Sequence, residues 1–149
     1  MVEYLAEDLK KNKVIKRLKI FDTEMSNYDF IRNFETHFIE VATLFHENLL
    51  SAYEFQTILT INGSKVNRNQ FFYTYEHYDS SKIVHYEELN KSEINQVLVQ
   101  LCKAVRYLHY RGFIYKYLSF DAMIIIRDQG KVTLKLREFA NNYVDDYFF

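Results

Sequence analysis

Proline is absent from the 149 residues and glycine occurs only three times. Lys, Asn, Ile, Tyr and Phe are abundant instead, a bias that codon usage alone produces in a genome rich in A and T. A low-GC bacterial source is the expectation, and the base composition of that genome tests it. The single cysteine, Cys102, cannot close an internal disulfide. That suits a reducing compartment and leaves buried packing on a helix as its expected role. No apolar run is long enough to cross a bilayer, and the charges crowded between Glu3 and Lys13 exclude a signal peptide there. Neither sign of charge dominates, with 19 basic against 20 acidic residues and a net charge of −1. The electrostatic footprint of a nucleic-acid or anionic-membrane binder is therefore missing. Cytoplasmic location, with no nucleic-acid and no membrane partner, is the resulting expectation.

What the chain does hold is material for a core. Apolar residues make up 48% and aromatics 17%, which argues against disorder, and the length suits one domain. Val2 to Leu9 and Val14 to Phe21 read as strands, separated by a polar turn at Asn12. Ser26 followed by Asp29 has the chemistry of a helix start. Phe30, Phe34, Phe38, Val41 and Phe45 then recur at helical spacing. Leu49 to Ile61 and Gln70 to Tyr75 are strand-like, joined by a polar segment that opens on Asn62-Gly63, a dipeptide that favours reversal. A second helix follows Asn90, with Glu93 three residues on as in a capping box. Its stripe is Ile94, Val97, Leu98, Leu101, Val105 and Leu108, and Gly112 stands at its end. Met123 to Ile126 and Val132 to Leu136 form a hairpin across Asp128, Gln129 and Gly130. The order is strands, helix, strands, helix, hairpin, which is an α+β pattern.

Several short motifs in this order resemble those of the protein kinase family, of the eukaryotic-like Ser/Thr type found in bacteria. The stretch from Tyr107-Leu108-His109 through Gly112 to Tyr115-Lys116-Tyr117-Leu118 is similar to the end of the large-lobe αE helix and the HRDL catalytic loop. Lys135-Leu136-Arg137-Glu138-Phe139-Ala140 resembles the strand and DFG motif. His46-Glu47-Asn48-Leu49-Leu50 resembles the corner after the αC helix. Phe71 to Glu76 resembles the strand entering the hinge, and Leu18-Lys19-Ile20-Phe21 the strand with the phosphate-binding lysine. The resemblance implies a partial kinase fold over residues 1–149. Residues 1–76 would be small lobe, an antiparallel sheet with a long αC helix, and 77–149 the start of the large lobe.

It also implies where ATP and Mg would be held. Lys19 is the expected phosphate-binding lysine, with Lys16 as the alternative register, and a simple surface lysine pair as the bland reading of both. Glu40 is one helical turn from His37, which occupies the αC glutamate position, and is a partial substitute for it. Glu76 at the hinge and Ile124 in the following hairpin complete the expected nucleotide positions, and Glu138 is the expected metal ligand. The catalytic positions are substituted. Tyr117 stands where the family has its catalytic Asp, and a phenol with a pKa of about 10 is a poor proton acceptor at neutral pH. Losing a positioned base costs ~10²–10⁴ in rate. Ala122 removes the second metal ligand and Ser119 replaces a lysine, while Asp121 is a substitute for the base only if the loop is rearranged. Glu138 keeps its charge, but one extra methylene misaligns a carboxylate for geometrically strict magnesium.

The likeness begins at what would be the second strand and stops just past the metal motif. It therefore implies about half of a kinase domain from a larger signalling protein. Leu101, Val105 and Leu108 are then expected to be partly exposed, to be covered by a protein partner, by the missing remainder or by self-association. The leading expectation is a catalytically impaired regulatory or binding module. An active Ser/Thr kinase fragment built from displaced residues, and a remnant or small structural protein, are the alternatives.

Overall fold

The computed structural model describes residues 2–9, 14–22, 28–115 and 118–137. They fall into two compact units, one of Met1–Thr43 with Ser51–His77, the other of Leu44–Leu50 with the residues from Tyr78 onward. The mixed α+β class expected from the sequence is present.

The first unit is an antiparallel sheet of β1 (Val2–Asp8), β2 (Val14–Asp22), β3 (Ala52–Ile61) and β4 (Ser64–Glu76) in the order β1-β2-β4-β3, with helix α1 (Tyr28–Val41). Lys19 pairs with Tyr73 and Arg17 with Tyr75, and Phe55 lies opposite Tyr73 on the other side. Side chains alternate between faces along a strand, so these residues share one face. Helix α1 covers it. The Phe34 and Phe38 rings lie 6.2 and 5.7 Å from the ring of Tyr73, and 5.2 and 5.8 Å from that of Phe55. Each such ring buried contributes about 1.5–3 kcal/mol.

The expected apolar stripe holds through Phe34, Phe38 and Val41 and then stops. Both the amide and the hydroxyl of Thr43 donate to the Glu40 carbonyl, which tightens the last turn and ends the helix. Phe45, expected to continue the stripe, lies beyond that end and is exposed. The reversal at Asn62-Gly63 has positive φ at both residues, 51° and 79°. A turn of that hand matches the twist of its strands, so β4 resumes at Ser64 rather than at Gln70. A register shift between Ile58 and Thr60 takes up the difference.

In the second unit, helix α2 (Lys91–Tyr110) starts on the expected box. The Asn90 side chain accepts from the Glu93 amide at 3.0 Å and Glu93 accepts from the Asn90 amide at 2.9 Å. It ends in a Schellman motif, with Phe113 N–H bonded to Leu108 C=O and Gly112 N–H to His109 C=O, and Gly112 at φ 84°. Val97, Ala104 and Leu108 form its buried seam, and Val97 packs with Ile125, Val132 and Leu134 of the hairpin β5 (Met123–Asp128) and β6 (Lys131–Leu136). Leu108 is 1% exposed, which corrects the expectation of partial exposure there. The exposed apolar row is instead Ile94, Leu98 and Val99, with Cys102 beside it. Cys102 was expected to pack inside; it lies a third of a turn from the seam and faces outward.

A two-stranded hairpin is marginal alone, and other segments bond to both of its edges. On the β6 side, Gln100 donates to Val132 C=O and accepts from Leu134 N–H. The Asn48 side chain donates to Leu134 C=O, the Asn48 carbonyl accepts from Leu136 N–H, and Leu50 N–H donates to Leu136 C=O. Every outward backbone group from the Val132 carbonyl to the Leu136 carbonyl is thereby paired. On the β5 side, Val84 N–H donates to Ile125 C=O.

Candidate functional site

The alternation of β2 separates the two candidate lysines. Lys16 is buried on one face, where it bonds Asp8 at 2.9 Å and Glu54 at 3.1 Å. Burial opposes its charge, but the hydrogen bonds to these two carboxylates outweigh that and raise its pKa above the usual lysine value. Lys19 is buried on the opposite, helix-covered face, with its ammonium 5.9 and 5.7 Å from the rings of Tyr73 and Tyr75. One lysine is thus bound into an ion-pair cluster and the other sits on aromatic faces.

Of the remaining nucleotide candidates, Glu40 is a solvent-facing residue of α1. Its carboxylate is 64% exposed and 3.9 Å from Nδ1 of His37, while His37 itself is buried. Glu76 closes β4 by exchanging backbone and side-chain bonds with Ser51: its amide donates to the Ser51 carbonyl, and its carboxylate accepts from the Ser51 amide at 3.3 Å. Ile124 is 4% exposed within β5, opposite Lys135.

The loop that follows α2 is organised by Arg137. Its amide donates to the Ala122 carbonyl, its Nε donates to the Asp121 carbonyl at 2.7 Å, and its own carbonyl accepts from the Tyr115 hydroxyl at 2.7 Å. Tyr115 and the turn Phe120–Ala122 are thereby drawn to the residue that precedes Glu138. The Asp121 side chain belongs to an exposed residue, and Ala122 is buried and offers no ligand atom. Tyr117 and Glu138 lie outside the described residues. Among the described residues no trio of His, Cys, Asp or Glu gathers in a way that could hold a metal ion.

Two features were not visible in the sequence. The first is the role of Arg137, whose partners lie 15 to 22 positions upstream. The second is the anchoring of residues 45–48 on α2. Phe45 N–H donates to the Tyr107 hydroxyl, the His46 ring lies 5.1 Å from that of Tyr107, and His46 Nδ1 accepts from Asn48 N–H at 3.0 Å. Burial depresses the His46 pKa; Glu47 opposes this, and Lys103 and Lys135 add to it. The neutral ring is what the Asn48 bond needs. No helix among the described residues is long and apolar enough to cross a membrane.

Compared with models of known protein families the chain matches none, and no curated protein matches it.

Proposed function

We propose that the chain is a kinase-like module that does not transfer phosphate and serves as a binding or regulatory piece in signal transduction. The observation that carries this reading is the Arg137 tie. It brings Tyr115 and the turn Phe120–Ala122 against the residue before Glu138, which is the proximity the family resemblance asks of the two ends of a catalytic loop and a metal motif. The element order agrees with that reading. So does Lys19, which shares with Tyr73 the sheet face that α1 covers.

The chemistry at those positions is deficient. Phosphoryl transfer needs positioned phosphates, neutralising metal and an oriented acceptor. Tyr117 brings a neutral phenol where an anionic base is needed, and Ala122 brings nothing to a metal. A site of this composition can hold a nucleotide or a protein without turning over.

The test is a transfer assay with radiolabelled ATP and magnesium, run beside a nucleotide thermal-shift measurement. No label is expected on the chain or on a generic acceptor protein. Any shift with ATP or ADP should disappear in Lys19→Met and persist in Lys16→Met. Robust transfer that is lost in Asp121→Asn overturns the reading in favour of an active enzyme with a displaced base. A folded chain that shifts with no nucleotide points to a remnant or a structural protein.

A further inference from the structure

The face of α2 that turns away from its buried seam is built in two rows. Leu98, Cys102, Arg106 and Tyr110 recur every four residues, and Val99, Lys103 and Tyr107 run beside them. Residues four apart stack along a helix, so the rows form two parallel ridges. The furrow between them opens into a groove of about 330 Å³ lined by Leu98, Val99, Cys102, Lys103 and Arg106. A second groove, of about 370 Å³, shares Lys103 and Arg106 and adds Tyr107, Tyr110 and His46. Leu98 and Val99 are 51% and 56% exposed and Tyr110 is 89% exposed. Both rows thus run from an aliphatic residue through a cation to an aromatic ring.

Charge decides what can lie in the furrow. Among the described residues Lys103 and Arg106 enter no ion pair. The one acid of α2, Glu93, is held by Arg127. A second copy of this face therefore sets cation against cation at the centre of the contact. A bilayer is a plane and cannot fill two recesses. A helix can, because a ridge of its own i, i+4 and i+8 side chains seats between two such rows. Those three side chains span about 12 Å, the rise of α2 from Val99 to Tyr107. Complementarity then fixes their chemistry as aliphatic, acidic and aromatic.

We propose that this face of α2 docks an acidic, amphipathic helix of another protein. Its aliphatic residue lies on Leu98 and Val99, its carboxylate between Lys103 and Arg106, and its aromatic ring on Tyr107, Tyr110 and His46. An exposed ion pair contributes little by itself, so burial of the apolar side chains supplies most of the attraction. The carboxylate sets the register, and the two cations reject basic partners. The grooves lie wholly on α2 and His46, so the inference is independent of how the nucleotide positions are read. A chain that transfers phosphate and one that does not present the same face.

The probe is a fluorescein-labelled, alanine-based helical peptide with leucine, glutamate and phenylalanine at i, i+4 and i+8. Titrated with the full chain, its anisotropy should saturate with a Kd below about 0.1 mM. Lys103→Glu with Arg106→Glu should weaken binding at least about tenfold, and a peptide with lysine in place of the glutamate should regain the affinity on that variant. Position is read separately at Cys102, the only thiol, which lies in the first groove. Peptide at about ten times its Kd should slow the reaction of this thiol with an uncharged maleimide about tenfold. Weaker or unsaturable binding overturns the proposal, as does binding that survives the charge reversal or leaves Cys102 unprotected. A wild-type thiol that grows more reactive on dilution assigns the face to a second copy. Protection by phosphatidylserine vesicles without peptide assigns it to lipid, and either result also overturns the proposal.

Discussion

Single side chains do much of the long-range joining in this molecule. Gln100 uses its whole amide, accepting from Asn48 and Leu134 and donating to Val132. Gln100→Leu keeps the bulk and orphans these groups, and an unpaired buried polar group costs ~1–3 kcal/mol. A loss of about 3 kcal/mol in urea unfolding, with an unchanged m-value, is therefore expected. His46 is a second such residue. Because burial depresses its folded pKa below the unfolded value, the neutral ring stabilises the fold. That contribution is complete above about pH 6.5 and is lost as pH falls through the lower folded value. The His46 imidazole followed by NMR should titrate below the ordinary histidine range, and a normal or raised value would remove the argument. Glu93 behaves in the same direction. Its hydrogen bond from Arg127, then that from the Asn90 amide, hold its pKa down, so its contribution is present above the ordinary glutamate value and disappears in acid.

At the scale of elements, the parts with local chemical signatures were legible in advance. The box at Asn90 and Glu93, the reversals at Asn62-Gly63 and Gln129-Gly130, and the glycine after α2 each act over a few residues, and each lies where its side chains require. The parts set by distant partners were not legible. Periodicity gave α2 one apolar stripe, yet its apolar residues occupy more than one face, and only packing against β5 and β6 selects Val97, Ala104 and Leu108. The same limitation produced the wrong environment for Cys102 and the overlong stripe at Phe45. At the candidate site, Lys16 and Lys19 were equivalent as letters and became distinct once pairing fixed which face each takes. A test of the turn chemistry is available at Gly130. It has φ 78° and open space where a Cβ would go, so Gly130→Ala isolates backbone strain from packing. A loss of about 1–2 kcal/mol is expected from that strain alone, and a neutral result in thermal unfolding would mean that the turn relaxes to another form.

For the molecule as a whole, the chain passes between units three times, after Thr43, Leu50 and His77. Residues 44–50 leave the company of α1 and β3 to join the second unit, where Leu44 and Leu49 are fully buried. The second unit also carries two acid-labile groups, His46 and Glu93. Acidification from about pH 6.5 to about pH 3 should therefore erode protection from hydrogen exchange in α2, β5 and β6, first through His46 and then, below the ordinary glutamate value, through Glu93. Replacing both groups, as His46→Gln with Glu93→Gln, should flatten that dependence. An equally steep profile in the double variant would place the acid sensitivity elsewhere.

The amide of Gln100 has a further consequence for behaviour in a crowded solution. A carboxamide offers the same donor and acceptor as a peptide unit, so this side chain fills the slot that an incoming strand would occupy. Without it, Val132 and Leu134 would present a bare rung to any extended segment nearby. The glutamine is then also a guard against fibril seeding, and its loss should be seen as thioflavin-positive aggregation before it is seen as simple unfolding.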